Sequence, residues 1–113
     1  MHEMALAASV LEIVEGTAQR NGGARVSAVW LEIGALSQVE PEALRFCFDV
    51  VTRGSLADRA RLEIVTTPGA AWCMPCGETV ALAALGGPCP HCGSYQLAVS
   101  QGEAMRVKQI ELA

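Results

Sequence analysis

The sequence has no run of positive charge. Its eight Lys and Arg are scattered singly from Arg20 to Lys108 against 12 Asp and Glu, giving a net charge of -4. A surface that tracks a phosphate backbone needs several cations side by side, so the reading is no nucleic acid partner. Long apolar runs are missing too. None approaches the roughly 20 residues that cross a bilayer, and the opening MHEMALAASV lacks the basic segment of a secretory leader. The expectation is a soluble, cytoplasmic protein with no membrane partner. Aromatic residues make up only 4% of the chain although 51% of it is hydrophobic, so aliphatic side chains must fill the interior. No phosphate loop, no Ser/His/Asp or Cys/His arrangement and no paired carboxylates on a cleft are found. Catalysis has no residues to carry it, and the expectation is that the protein is not an enzyme.

What is present fits one main domain of 113 residues. From Met4 to Arg20, Leu6, Val10, Ile13 and Thr17 form one stripe with Ala7, Val14 and Ala18 beside it, the spacing of an amphipathic helix, and Asn21-Gly22-Gly23 ends it. Residues 25–33 alternate as a strand, with Val29, Leu31 and Ile33 on one face and Val26, Ala28 and Trp30 on the other. A second helix is signalled by Ser37, Glu40 and Pro41 and runs through Leu44, Phe48 and Val51 to a stop at Gly54, its N-cap being either Ser37 or Glu40. Residues 61–66 and 104–112 read as two more strands. The second of them slips phase, Met105 and Val107 sharing one face and Ile110 and Leu112 the other, as at a bulge or an early end. The expected fold is α+β: two helices packed on a small three-stranded mixed sheet, with an inserted four-cysteine zinc-binding lobe. Residues 1–67 plus 103–113 form the α/β domain and residues 68–102 the lobe.

The lobe holds Cys73, Cys76, Cys89 and Cys92 along with Pro75, Pro88 and Pro90, and neither Lys nor Arg. WCMPCG and GPCPHCGS are two tight knuckles, each offering two sulfurs from one turn, and four thiolates satisfy a tetrahedral ion. A linker of 12 residues (89 - 76 - 1) is ample to bring them together. So few bulky side chains hardly order such a lobe by burial, so metal binding is expected to provide on the order of 10 kcal/mol. Disulfides, a dithiol redox pair and an iron site with the same four ligands are the competing readings. His91, inside the second knuckle, can either replace a thiolate or sit as a solvent-facing turn residue. Cys47, between Phe46 and Phe48, reads as a small buried apolar residue.

His2 is singular by its position. An amine on residue 1, the peptide nitrogen of residue 2 and its imidazole form fused rings around a metal, and nitrogen ligands in a plane suit Ni(II) or Cu(II) over zinc. Glu3 can add a peptide nitrogen or an oxygen. In the plainer reading these residues only precede a helix whose dipole Glu3 complements.

Together these residues resemble the HypA/HybF family, nickel metallochaperones of [NiFe]-hydrogenase maturation. The likeness covers essentially the whole chain: Met1-His2-Glu3, Ile33-Gly34 followed by Leu36-Ser37-Gln38-Val39, the stretch Pro41 to Phe46, both CxxC pairs and the exit Cys92-Gly93-Ser94. The resemblance implies that His2 is the essential nickel ligand, helped by the Met1 amine and neighbouring backbone nitrogens, with Glu3 tuning the site. It implies a structural Zn(2+) on the four cysteines and a transferable Ni(2+). It further implies delivery to the [NiFe]-hydrogenase large subunit with a HypB-type GTPase, the protein acting as a monomer or homodimer. Ala35 departs from the pattern, since many relatives carry a glutamate there. The alternative function is a zinc-ribbon protein-protein adaptor without nickel transfer.

Overall fold

The structure, a computed structural model, describes residues 2–113. The elements in order are α1 (Glu3–Arg20), β1 (Val26–Gly34), α2 (Pro41–Val51), β2 (Arg61–Thr67), β3 (Ala70–Cys73), β4 (Glu78–Ala81), β5 (Leu97–Gln101) and β6 (Met105–Leu112). They form two compact units. One comprises Met1–Glu32, Val39–Val65 and Arg106–Ala113, the other Ile33–Gln38 and Thr66–Met105.

In the first unit α1 packs on α2 through small side chains. Its buried residues are Ala7, Val10, Val14 and Ala18, so the core stripe lies beside the one the spacing suggested, and Ile13 is 54% exposed. Small side chains at these positions let two helix backbones approach closely. Asn21 caps α1, and Gly23 donates its N–H to the Ala18 carbonyl at 2.9 Å. Glu40 is the N-cap of α2: its carboxylate accepts from the Glu42 N–H at 3.2 Å, and Pro41 occupies the first turn. At the other end the buried Thr52 hydroxyl donates to the Phe48 carbonyl at 2.7 Å. The strand β1 is central in a sheet of order β2-β1-β6. Its residues Val26, Ala28, Val29, Leu31 and Ile33 are all buried, so both of its faces are covered, as its few polar interruptions suggested. The half-buried residues of β6 are Met105, Val107, Ile110 and Leu112. The phase slip is therefore real, but the strand runs unbroken through it.

The second unit contains a second sheet that the sequence reading did not foresee. Its order is β4-β3-β5, antiparallel throughout, with Cys73 opposite Glu78 on one side and Leu97 on the other. Leu36, Ala71 and Leu82 form a small buried cluster with Leu97 and Val99 packed on it. Leu36 thus joins the metal-bearing unit although it lies more than thirty residues earlier in the chain. The backbone there is threaded through glycines. A Cβ on Gly34 would overlap the Gly102 carbonyl, and Gly102 itself holds φ +99°, a conformation open to glycine.

Candidate metal centre

The four paired cysteines converge. Cys73 ends β3, and the turn that follows closes with the Gly77 N–H on the Cys73 carbonyl at 2.9 Å, Gly77 having φ +64°. The second knuckle repeats this device: the Gly93 N–H meets the Cys89 carbonyl at 2.9 Å, and Gly93 has φ +78°. Each CxxC is thus a tight turn that needs a glycine one residue after its second cysteine. Further backbone bonds fix the knuckles, from Met74 to the Gln96 carbonyl at 3.0 Å and from Cys89 to the Ser94 carbonyl at 2.8 Å.

The result is a cluster in which all four Sγ atoms lie within 4.8 Å of one another. Cys73 and Cys92 are 3.6 Å apart and Cys76 and Cys89 are 3.9 Å apart. A tetrahedron with metal–sulfur bonds of about 2.3 Å has edges of about 3.8 Å, so these spacings fit one ion at the centre. They do not fit disulfides, whose sulfurs sit at about 2.05 Å, and all the cysteines are free.

The electrostatics point the same way. Burial opposes ionisation of Cys89, yet backbone N–H groups of Cys92 and His91 aimed at its sulfur pull its pKa down to about 6; the His91 N–H lies 3.3 Å from that Sγ. Cys76 is pushed up by the neighbouring Cys92 and Cys73 sulfurs. For Cys73 the Cys76 N–H favours the thiolate, but burial and the Cys92 and Cys89 sulfurs outweigh it and raise the pKa. Crowded sulfurs resist simultaneous ionisation unless a cation sits among them.

His91 lies outside the sulfur cluster. Its exposed ring places Nδ1 3.2 Å from Glu78 Oε1, a hydrogen bond that ties the second knuckle to the start of β4. Cys47 is half-buried rather than buried, flanked by the exposed Phe46 and the buried Phe48.

At the other candidate site, His2 is exposed at the N-cap position of α1 and its side chain makes no capping bond. Its carbonyl accepts the Leu6 N–H at 3.1 Å. Met1, whose amine enters the chelate reading, lies outside the described residues. The Glu3 carboxylate accepts the backbone N–H of Glu40 at 3.3 Å, joining the start of α1 to the N-cap of α2. The family resemblance implies that Glu3 tunes a metal site; this bond is an additional, structural role that the sequence did not suggest. Its only signal in the chain was the cap ahead of Pro41. Ala35, exposed after β1, donates its N–H to the Thr67 carbonyl at 2.8 Å and offers no acidic contact.

Comparison with known proteins agrees with this geometry. Residues 1–112 match the family model described as HypA, hydrogenase/urease nickel incorporation, metallochaperone. The chain belongs to this family. It is 59% identical over 112 residues to the hydrogenase maturation factor HypA of Albidiferax ferrireducens and 57% identical to that of Dechloromonas aromatica, with 99% of each chain covered in both cases. The solution structure of the nickel metallochaperone HypA from Helicobacter pylori superimposes with a TM-score of 0.72 at 27% identity, covering 99% of this chain and 97% of that one. As a member of the HypA family the protein is assigned to hydrogenase maturation, and its α+β fold is that of the family's solved structures. Among the described residues no helix is long and apolar enough to cross a membrane.

Proposed function

We propose that the protein is a nickel carrier that binds Ni(II) at its N-terminus and delivers it for [NiFe]-hydrogenase maturation, without catalytic turnover. The observation that carries this reading is the exposed side chain of His2, which makes no capping bond at the head of α1, in a chain of the HypA family. The first N–H groups of a helix have no acceptor within it. Peptide nitrogens beside His2 are therefore free to lose a proton to a metal at little cost to the helix. His2 is the principal ligand, with the Met1 amine and Glu3 contributing. Since the Glu3 carboxylate is engaged by the Glu40 N–H, its backbone nitrogen is the better candidate donor.

The four cysteines Cys73, Cys76, Cys89 and Cys92 hold Zn(2+), whose work is structural: a closed tetrahedral thiolate site leaves no open position for substrate. In this reading the first unit, with the N-terminus, serves nickel and the second, with the four cysteines, serves zinc. A HypB-type GTPase and the hydrogenase large subunit are the partners this role requires, in the cytoplasm.

The test is a nickel titration of the untagged protein, repeated with His2→Ala and with one residue added before Met1. Both changes should abolish stoichiometric nickel binding and leave zinc content at one per chain. Nickel affinity unchanged in either would refute the chelate. Nickel nitrogens must shed protons to bind, so acidification should release nickel before thiolate-held zinc.

A further inference from the structure

A groove on the outer side of α2 has no part in either metal site. Its space, about 410 Å³, is bordered by Glu42, Arg45, Phe46, Asp49 and Leu62. Phe46 is 68% exposed, an unusual position for one of only two phenylalanines in a chain poor in aromatics. Glu42 precedes it by four residues and Asp49 follows by three, so both carboxylates lie on the face of the helix that carries the ring. The one cation of the groove is already engaged: Arg45 donates Nη1 to the Leu62 carbonyl, and its Nε lies 3.8 Å from Glu42. What remains on offer is an aromatic ring in a groove whose two carboxylates outnumber its one cation, Arg45 meeting Glu42 only at 3.8 Å and Asp49 lying outside that pair.

We propose that this face is a docking surface for a basic segment of a partner protein, one that lays an arginine or lysine over Phe46 with its charge toward Asp49 and Glu42 and its aliphatic stem in the groove. The ring attracts a cation through its negative face, and a planar guanidinium also matches a carboxylate in two places. Nucleic acid and anionic lipid are repelled by the same carboxylates. A metal ion is unsuited because the acidic groups flank the ring instead of converging. Exposed aromatic anchors beside charged groups are the residue types that dominate protein interfaces. The proposal is independent of the nickel chelate.

The probe is a pair of eight-residue peptides, one alternating Arg and Leu and one alternating Glu and Leu, added to the zinc-loaded full chain while amide resonances are followed. The Arg peptide should shift amides within residues 42–49 and the Glu peptide should not. Phe46→Ala and Asp49→Lys should each weaken the Arg peptide about tenfold, and Phe46→Leu should weaken it by less, with helix content and nickel stoichiometry unchanged. An equal response to both peptides, shifts confined to another surface, or wild-type affinity in Phe46→Ala would overturn the proposal. So would self-association that moves the same amides as protein concentration rises, which would give the face to a second copy of the chain.

Discussion

The two units reach order by different means. The first buries whole aliphatic side chains: Val10, Val14, Val29, Leu31 and Leu44 are all nearly or wholly inaccessible. The second buries fewer, Ile33, Leu36, Val80 and Leu82, beside Ala71 and the thiols of Cys73 and Cys89, around strands of four and five residues. Full burial of a large aliphatic side chain is worth roughly 1.5–3 kcal/mol, and the second unit has few to bury. With zinc on the four cysteines as proposed, the comparison teaches that the metal adds to the smaller core of the second unit what more extensive burial supplies in the first.

The strongest way to break that comparison is to remove the cluster. Cys73→Ser, or a strong chelator, should cost the second unit on the order of 10 kcal/mol, the scale of structural zinc in small domains. The β3, β4 and β5 amides should collapse to unfolded shifts while those of α1 and α2 persist. If both units melted together, or neither did, the distinction between them would fail. The converse experiment sits in the first unit. Leu44→Ala on α2 deletes a side chain that is 1% exposed and should cost about 2–5 kcal/mol. Thermal unfolding of the helices should shift down while zinc content stays at one per chain.

The sequence made the two units legible to different degrees. The cysteine knuckles were readable because tetrahedral thiolate sites demand a fixed local spacing, and Cys73, Cys76, Cys89 and Cys92 do converge. The three strands around them were not recognised, since stretches such as Ala70–Cys73 and Glu78–Ala81 are too short for alternation to stand out from noise. The first helix was readable by period, and the centre of its buried face lies on Ala7, Val14 and Ala18 beside the stripe, with Val10 common to both. Leu6 and Ile13 are more hydrophobic than Ala7 and Ala18, and close helix packing selects for size as well as hydrophobicity. Long-range pairings such as Glu3 with Glu40 and Leu36 with Ala71 and Leu82 depend on tertiary placement, which no local pattern encodes. Ser37 and Glu40 were equal candidates for the cap until the Glu42 N–H was seen to choose Glu40.

A smaller perturbation sharpens the comparison within the second unit. Gly34→Ala places a methyl group on the Gly102 carbonyl, a backbone atom that cannot swing aside like a flexible side chain. The expected cost is about 1–3 kcal/mol, as for overpacking elsewhere. Gly54→Ala is the control, with open space at its Cβ but φ +78°, so it tests left-handed backbone strain without a clash. Urea unfolding monitored at β3 and at α2 separates them: Gly34→Ala should act at β3 and Gly54→Ala at α2. Equal effects on both probes would mean that the glycine crossing does not belong to the second unit as its packing indicates.

The smallest expected effect is a pH dependence confined to the first unit. The Arg106 guanidinium donates two hydrogen bonds to Glu32, at 3.0 and 3.1 Å, and holds its carboxyl below the usual range against the opposing effect of burial. A carboxyl whose folded pKa is depressed binds its proton more readily in the unfolded chain. Its contribution to stability is therefore fully present above the unfolded value of about 4.3 and is lost as pH falls through the lower folded value. Arg106 is largely exposed, so salt should screen the pair. Glu32→Gln should flatten the acid limb of a melting-temperature profile taken from pH 7 to pH 3 and leave the neutral plateau slightly lower, the difference shrinking in 1 M salt. The wild-type slope surviving in Glu32→Gln would place the acid sensitivity in another carboxylate of the unit, since removing a proton-binding group must remove its share of the linkage.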